Sequence, residues 1–145
     1  MKHILILITA LYILLSVQGC AKPVTGAEYD EWQWMAGTLY MQNPGDKVCM
    51  HRCAIIAKAM MEKGVAFDLV FGSAAWSNKG HVRIEYWRDG DLIILEPMWS
   101  DNQISKFIEE DRWAYVPGAD ANIRVISFVN RVLASIGEEP YERND

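Results

Sequence analysis

The sequence has little of what several function classes need. Its 14 Lys and Arg stand against 19 Asp and Glu, for a net charge of −5, so no nucleic-acid face is expected. Cysteines and histidines number three each, and they form no metal-ligand cluster. A Gly-rich phosphate loop is missing, as are internal repeats and low-complexity stretches. No cofactor is therefore expected. The most apolar run, from Ile4 to Leu15, is short for a membrane span. What is present reads as globular: 51% hydrophobic and 23% charged residues over 145 positions. That length suits one compact domain and not two. The acidic clusters at Glu109–Asp111 and Glu138–Glu139 read as solvated surface.

The N-terminus is the clearest local signal. Lys2 and His3 give a short basic start, the apolar run follows, and Ser16-Val17-Gln18-Gly19-Cys20 closes it. This is the layout of a secretory signal peptide. An aliphatic residue at minus three, Gly at minus one and then Cys resembles the lipobox of bacterial lipoproteins. The resemblance implies export to the cell envelope and a lipidated Cys20 as the new N-terminus. Ordinary cleavage near Gly19 or Ala21, giving a secreted or periplasmic soluble protein, is the other expectation. The chain then divides into a leader (1–20), a tether (21–27), a single domain (28–137) and a polar tail (138–145), expected to be loose.

Helical spacing runs from Glu28 to Met41, with Trp32, Met35, Ala36, Leu39 and Tyr40 on one broad face. Asn43-Pro44-Gly45-Asp46 breaks it. A second helix is predicted from Val48 to Lys63, stopped by Gly64, with Cys49, Cys53, Ile56, Ala57 and Met60 in a stripe. Ala66–Phe71, His81–Trp87 and Leu92–Glu96 read as strands. Residues 101–110 read as a short helix and Arg112–Val116 as a possible strand. A closing helix is expected over Ala121–Ile136, although Ile123–Ile126 alone also fits a strand. The fold class is α+β: N-terminal helices packed on a short antiparallel sheet, with a C-terminal helix.

Asp89-Gly90 between two strand-like runs is a strong hairpin signal. A two-residue turn there sets Arg88 opposite Asp91, Trp87 opposite Leu92, Glu85 opposite Ile94 and Arg83 opposite Glu96. His81, Arg83, Glu85, Ile94 and Glu96 then share one face, with His81 and Glu96 as diagonal neighbours. Val82, Ile84, Tyr86, Ile93 and Leu95 line the other. Glu96 is thereby within reach of two partners, His81 and Arg83.

A thiol in the first turn of a helix meets unpaired backbone N–H groups and the positive end of the helix dipole, both of which favour the thiolate. Cys49 is in that place; Cys53 lies one turn deeper. Two cysteines four apart in one helix are poorly placed for an unstrained disulfide. A nucleophilic thiol needs a base and a group to orient it. His3 lies in the leader and His51 points off another side of the helix, which leaves His81.

The stretch from Cys49 to Trp99 resembles the transglutaminase-like superfamily, which includes bacterial cysteine peptidases and shares its catalytic logic with papain. Three motifs carry the resemblance: Val48-Cys49 opening a helix, with Cys53 at the small position and Gly64-Val65-Ala66 fifteen residues on; Gly80-His81-Val82 opening a strand; and Leu95-Glu96-Pro97 at the end of the next. The resemblance implies a catalytic Cys49, His81 and Glu96. The family usually has Asp where this chain has Glu96, and Asp101 is the other acidic candidate. It also implies a small papain-like core, an upstream oxyanion donor from Gln42 or Asn43, and amide hydrolysis or acyl transfer on a protein or cell-wall peptide. Trp76 and Trp99 are the candidate groove residues. A non-catalytic lipoprotein module that keeps the fold, for binding or assembly, is the alternative.

Overall fold

The computed structural model describes residues 30–42, 48–74, 80–97, 107–118 and 122–143. The leader, the tether, the Asn43–Asp46 break, Trp76, Trp99 and Asp101 lie outside the described residues. Within them the chain is α+β, with three helices and a four-stranded antiparallel sheet. Helix α1 spans Glu31–Gln42, α2 Val48–Glu62 and α3 Ile123–Ser135. Strands β1 (Phe67–Ala74), β2 (Gly80–Arg88), β3 (Asp91–Leu95) and β4 (Phe107–Tyr115) lie in the order β3-β2-β1-β4.

Local chemistry sets the helix ends. Asp30 accepts from the backbone N–H of Trp32 and Gln33, each at 3.0 Å, and Gln33 Oε1 returns to the Asp30 N–H at 3.1 Å. This reciprocal cap satisfies three N–H groups that the first turn of α1 would leave open. Asp30 also accepts from the Tyr86 hydroxyl and pairs with Arg88 at 3.3 Å, so the cap ties α1 to β2. Helix α2 ends where Gly64 turns to φ +67; the Gly64 N–H reaches Met61 O and the Val65 N–H reaches Met60 O. A β-carbon would strain that left-handed backbone, which is why glycine stands there.

The three helices form one layer over one face of the sheet, with α2 in the middle against β2, α1 beside β3 and α3 beside β4. Leu69, Val82, Ile84, Tyr86 and Leu95 from the sheet meet Cys53, Ala54, Ile56, Ala57 and Met60 from α2 and Val125, Phe128 and Val129 from α3. The hairpin register is the one the Asp89-Gly90 turn predicts: Arg88↔Asp91, Trp87↔Leu92, Glu85↔Ile94. Asp89 at φ 52 and Gly90 at φ 91 carry the turn.

Two expectations are corrected. Residues 107–110 are not helical; they open β4, which runs on through Arg112 to Tyr115. As an edge strand, β4 buries little on either side, and Ile108 is exposed, so it lacks the alternation that marks a half-buried strand. The tail is also not loose through residue 143. Asn130 bonds both main-chain groups of Tyr141, accepting from its N–H at 2.7 Å and donating to its C=O at 3.1 Å. Lys58 donates to Glu139 O at 2.9 Å, and Tyr141 packs on the core. The 123–126 segment is helical from the start, with Asn122 capping it by accepting from the Arg124 N–H.

Candidate active site

Cys49 is the second residue of α2, and only part of it is buried. Its sulfur is hydrogen-bonded to His81 and to the backbone N–H groups of Met50 and Val82. Burial pushes the thiol up, but those bonds and the positive charge on His81 outweigh it, so the thiol sits below its usual value of 9.0. Cys53, one turn on, is sealed in the core and only 1% exposed. Burial drives its thiol far up. Two cysteines in one helix thus have opposite chemistry, and only Cys49 is set up as a nucleophile.

His81 lies on the sheet face turned away from the core, at the start of β2. Its Nε2 is 2.6 Å from Glu96 Oε1, and both side chains are buried. Nδ1 is then the ring nitrogen left for Cys49. Burial alone would lower the imidazole, but its bonds to Cys49 and Glu96 and their charges raise it from about 6.5 to about 9. A lowered thiol beside a raised imidazole favours the thiolate–imidazolium form of the pair. Glu96 steadies the cation from the far side.

The sheet explains how a core helix reaches a residue on the outer face. Strand β3 stops at Leu95, opposite Ile84. The main chain of Val82 lies two residues beyond that last pair. There the start of α2 takes the place of a strand: the Val82 N–H donates to Cys49, and the Val82 C=O accepts from Cys53 Sγ at 3.5 Å. The sulfur of Cys49 is thereby brought to the sheet margin, where His81 stands.

No protein-family model, curated protein or solved structure matches the chain.

A cleft of about 240 Å³ opens beside the pair, lined by Met50, Phe71, Gly72, Gly80, His81, Val82 and Glu110. A larger groove of about 500 Å³ lies along α1, between Trp34, Thr38, Met41 and Gln42. It holds none of the reactive groups. Gln42 is exposed at the end of α1 and faces that groove, so it is not gathered with Cys49, His81 and Glu96. Asn43, Trp76, Trp99, Asp101 and Cys20 fall outside the described residues. Among the described residues no three His, Cys, Asp or Glu side chains are grouped as metal ligands.

Around the trio lie further charges: Arg83 and Glu85, expected on the His81 face, and Arg112 and Arg52, which nothing in the sequence pattern assigned to the site. On the His81 face, Arg83 pairs with Glu85 at 2.5 Å and stacks on the Phe107 ring at 4.1 Å. Glu85 also pairs with Arg112 at 2.7 Å, and Arg112 with Asp68 and Glu109 at 2.9 Å. Beneath Cys49 in α2 lies Arg52, a cation only 2% exposed. Its Nη1 donates to the carbonyl of Pro97, the residue after Glu96, and its guanidinium lies 5.0 Å over the Tyr40 ring. The one available signal was its place in the sequence: Arg52 interrupts the apolar stripe between Cys49 and Cys53.

Proposed function

We propose that this chain is an exported thiol hydrolase that opens amide bonds in a protein or cell-wall peptide through Cys49, His81 and Glu96. The observation that supports it most directly is the bonded row of three side chains: a thiol held low, bonded to an imidazole held high, with a buried carboxylate on the far nitrogen. Proton transfer before substrate arrives is what a cysteine nucleophile needs.

In the proposed reaction the Cys49 thiolate attacks the amide carbonyl carbon, and the carbonyl electron pair moves onto oxygen. The Cys49 backbone N–H, in the open first turn of α2, is a donor for that oxyanion. His81 gives its proton to the leaving nitrogen as the C–N bond breaks, leaving a thioacyl enzyme. Neutral His81 then takes a proton from water as the water attacks the thioester. The C–S bond breaks, and the thiolate–imidazolium pair is restored. An amine in place of water makes the same sequence an acyl transfer. The cleft beside His81 is where the acyl group or leaving group would sit.

The transglutaminase-like motifs agree with these assignments, and Glu96 is taken as the acid because it is bonded to His81. Export and the lipid anchor rest on the leader and Cys20. No helix among the described residues is long and apolar enough to cross a membrane.

The deciding experiment is alkylation of the intact protein with iodoacetamide near pH 6, with the modified cysteine identified by mass spectrometry. Fast labelling of Cys49 that disappears in His81→Ala supports a catalytic pair. Labelling at the slow rate of an ordinary thiol, unchanged in His81→Ala, overturns the enzyme reading and favours the non-catalytic module.

A further inference from the structure

Among the described residues, Arg52 is the one buried charged residue in the helices. A guanidinium keeps its charge at any working pH, and removing one from water is unfavourable unless its surroundings compensate. Yet Arg52 is only 2% exposed, in the middle of the helix that carries Cys49. A leucine or methionine would fill the same space without that penalty, so the charge calls for an explanation beyond packing.

Its contacts join the three parts of the site. The side chain starts one turn after Cys49, on the same helix. It donates to Pro97 O, which fixes the chain next to Glu96. It lies over the ring of Tyr40, near the end of α1. The titratable groups that face Cys49 and Arg52 are Cys53 on α2, Tyr40 on α1, His81 on β2 and Glu96 after β3. Helix α2 and the Glu96 arm have no strand pairing between them, since β3 has already ended at Leu95. The Arg52–Pro97 bond supplies that missing connection.

We infer that Arg52 is a positioning residue of the thiol site: it fastens the Glu96–Pro97 segment to the Cys49 helix, and its charge favours the Cys49 thiolate. The inference rests on the catalytic reading of Cys49, His81 and Glu96 and adds a fourth member that never touches substrate. A long cationic side chain reaches the Pro97 carbonyl and supports an anion one turn away; a neutral one of the same size does only part of this. Tyr40 covers the guanidinium and keeps water from screening it.

The test is the pH profile of Cys49 alkylation in the full-length protein, with folding checked by circular dichroism. The variants are Arg52→Met, which removes donor and charge, and Arg52→Gln, which keeps a donor without charge. The expected result is a midpoint about one pH unit higher in either folded variant, or about a tenfold slower reaction at pH 6. Arg52→Lys, which restores charge on a shorter reach, is expected to recover part of the loss. A folded neutral variant with the wild-type profile overturns the inference. If neither neutral variant folds, Arg52→Lys decides. A folded Arg52→Lys protein with a displaced profile supports the role, and one with the wild-type profile overturns the tether to Pro97 as a determinant of the thiol. An ordinary wild-type thiol profile, indifferent to His81→Ala, would instead remove the catalytic reading itself.

Discussion

Glu85 holds Arg83 on its own strand, at 2.5 Å, although the register, carried one step past the last hairpin pair, Ile84↔Leu95, would set Arg83 opposite Glu96. The two carboxylates had the same suitor. Phe107 stacks on the guanidinium and Glu85 pairs with its Nη2, which holds Arg83 on its own strand, and Glu96 turns to His81. The division matters because a carboxylate shared with an arginine would hold the imidazolium less strongly.

Glu85→Gln is therefore expected to damage a site it does not touch. Arg83 loses its charged partner and becomes free to turn toward Glu96. The His81 ring, followed by proton NMR, is expected to titrate below its wild-type midpoint, and Cys49 alkylation at pH 6 to slow several-fold. Arg83→Met added to Glu85→Gln removes the competitor and is expected to restore both readings. A Glu85→Gln protein with an unaltered His81 titration would show that the two carboxylates act independently.

At Glu96 itself, shape and charge are separable. Glu96→Gln keeps an oxygen able to accept from His81 Nε2 but gives up the charge, so hydrolysis of a peptide substrate is expected to fall about tenfold. Glu96→Ala removes orientation as well, and the expected loss is about 10²-fold or more, the range of a misdirected acid–base residue. Equal losses for the two variants would mean that the charge alone matters.

The pH dependence follows from the two shifted groups. Cys49 loses its proton below its ordinary value, while His81 keeps its own until about 9. Turnover needs thiolate and imidazolium together. The rate is expected to rise as pH climbs through the lowered Cys49 value and to fall as pH climbs through about 9. A rate that instead rises through an ordinary imidazole midpoint near 6.5 would contradict the ion pair.

Gly72 forms part of the cleft wall and also faces β4. A β-carbon there would lie 2.1 Å from Ile108 O and 2.5 Å from the Phe107 ring. Backbone cannot yield as a flexible side chain does, so Gly72→Ala is expected to destabilise the protein by about 1–3 kcal/mol in urea unfolding. Phe107, which also stacks on Arg83 and lies against His81, would be displaced with it, and slower Cys49 alkylation is expected to accompany the lost stability.

Asn130 gives a contrasting test far from the site. Its amide makes both bonds to Tyr141. Asn130→Ala is expected to cost about 1–3 kcal/mol and release residues 138–143 to proteolysis, while Cys49 alkylation stays unchanged.

The hairpin was readable because its turn chemistry fixes register, and register fixes which side chains share a face. That logic reached from Asp89-Gly90 to the His81–Glu96 contact. Helix α2 was readable from its stripe and its Gly64 stop. Strand β4 was readable only in its second half, from Arg112; the first half was not, because an edge strand beside a charged face has few apolar residues to alternate, and Glu109, Glu110, Asp111 and Arg112 carry the ion pairs of that face or meet solvent. The docking of the tail uses the Asn130 amide eleven residues from Tyr141, the Lys58–Glu139 bond and the packing of Tyr141 on the core, and periodicity does not register such single contacts. Arg52 escaped for a related reason. Arginine in a helix ordinarily belongs to its wet side, and only the surrounding packing reveals that this one lies inside.

Strand β3 is five residues long, and that brevity sets a limit for redesign. Two more paired residues at its C-terminal end would carry the ladder across Val82 and occupy the main-chain groups that now hold the sulfurs of Cys49 and Cys53. The first turn of α2 would be evicted from the sheet margin, and the thiol would lose its imidazole without a single change to Cys49, His81 or Glu96. Hairpin length, as much as the identity of the trio, is a quantity that any grafting of this site onto another scaffold must preserve.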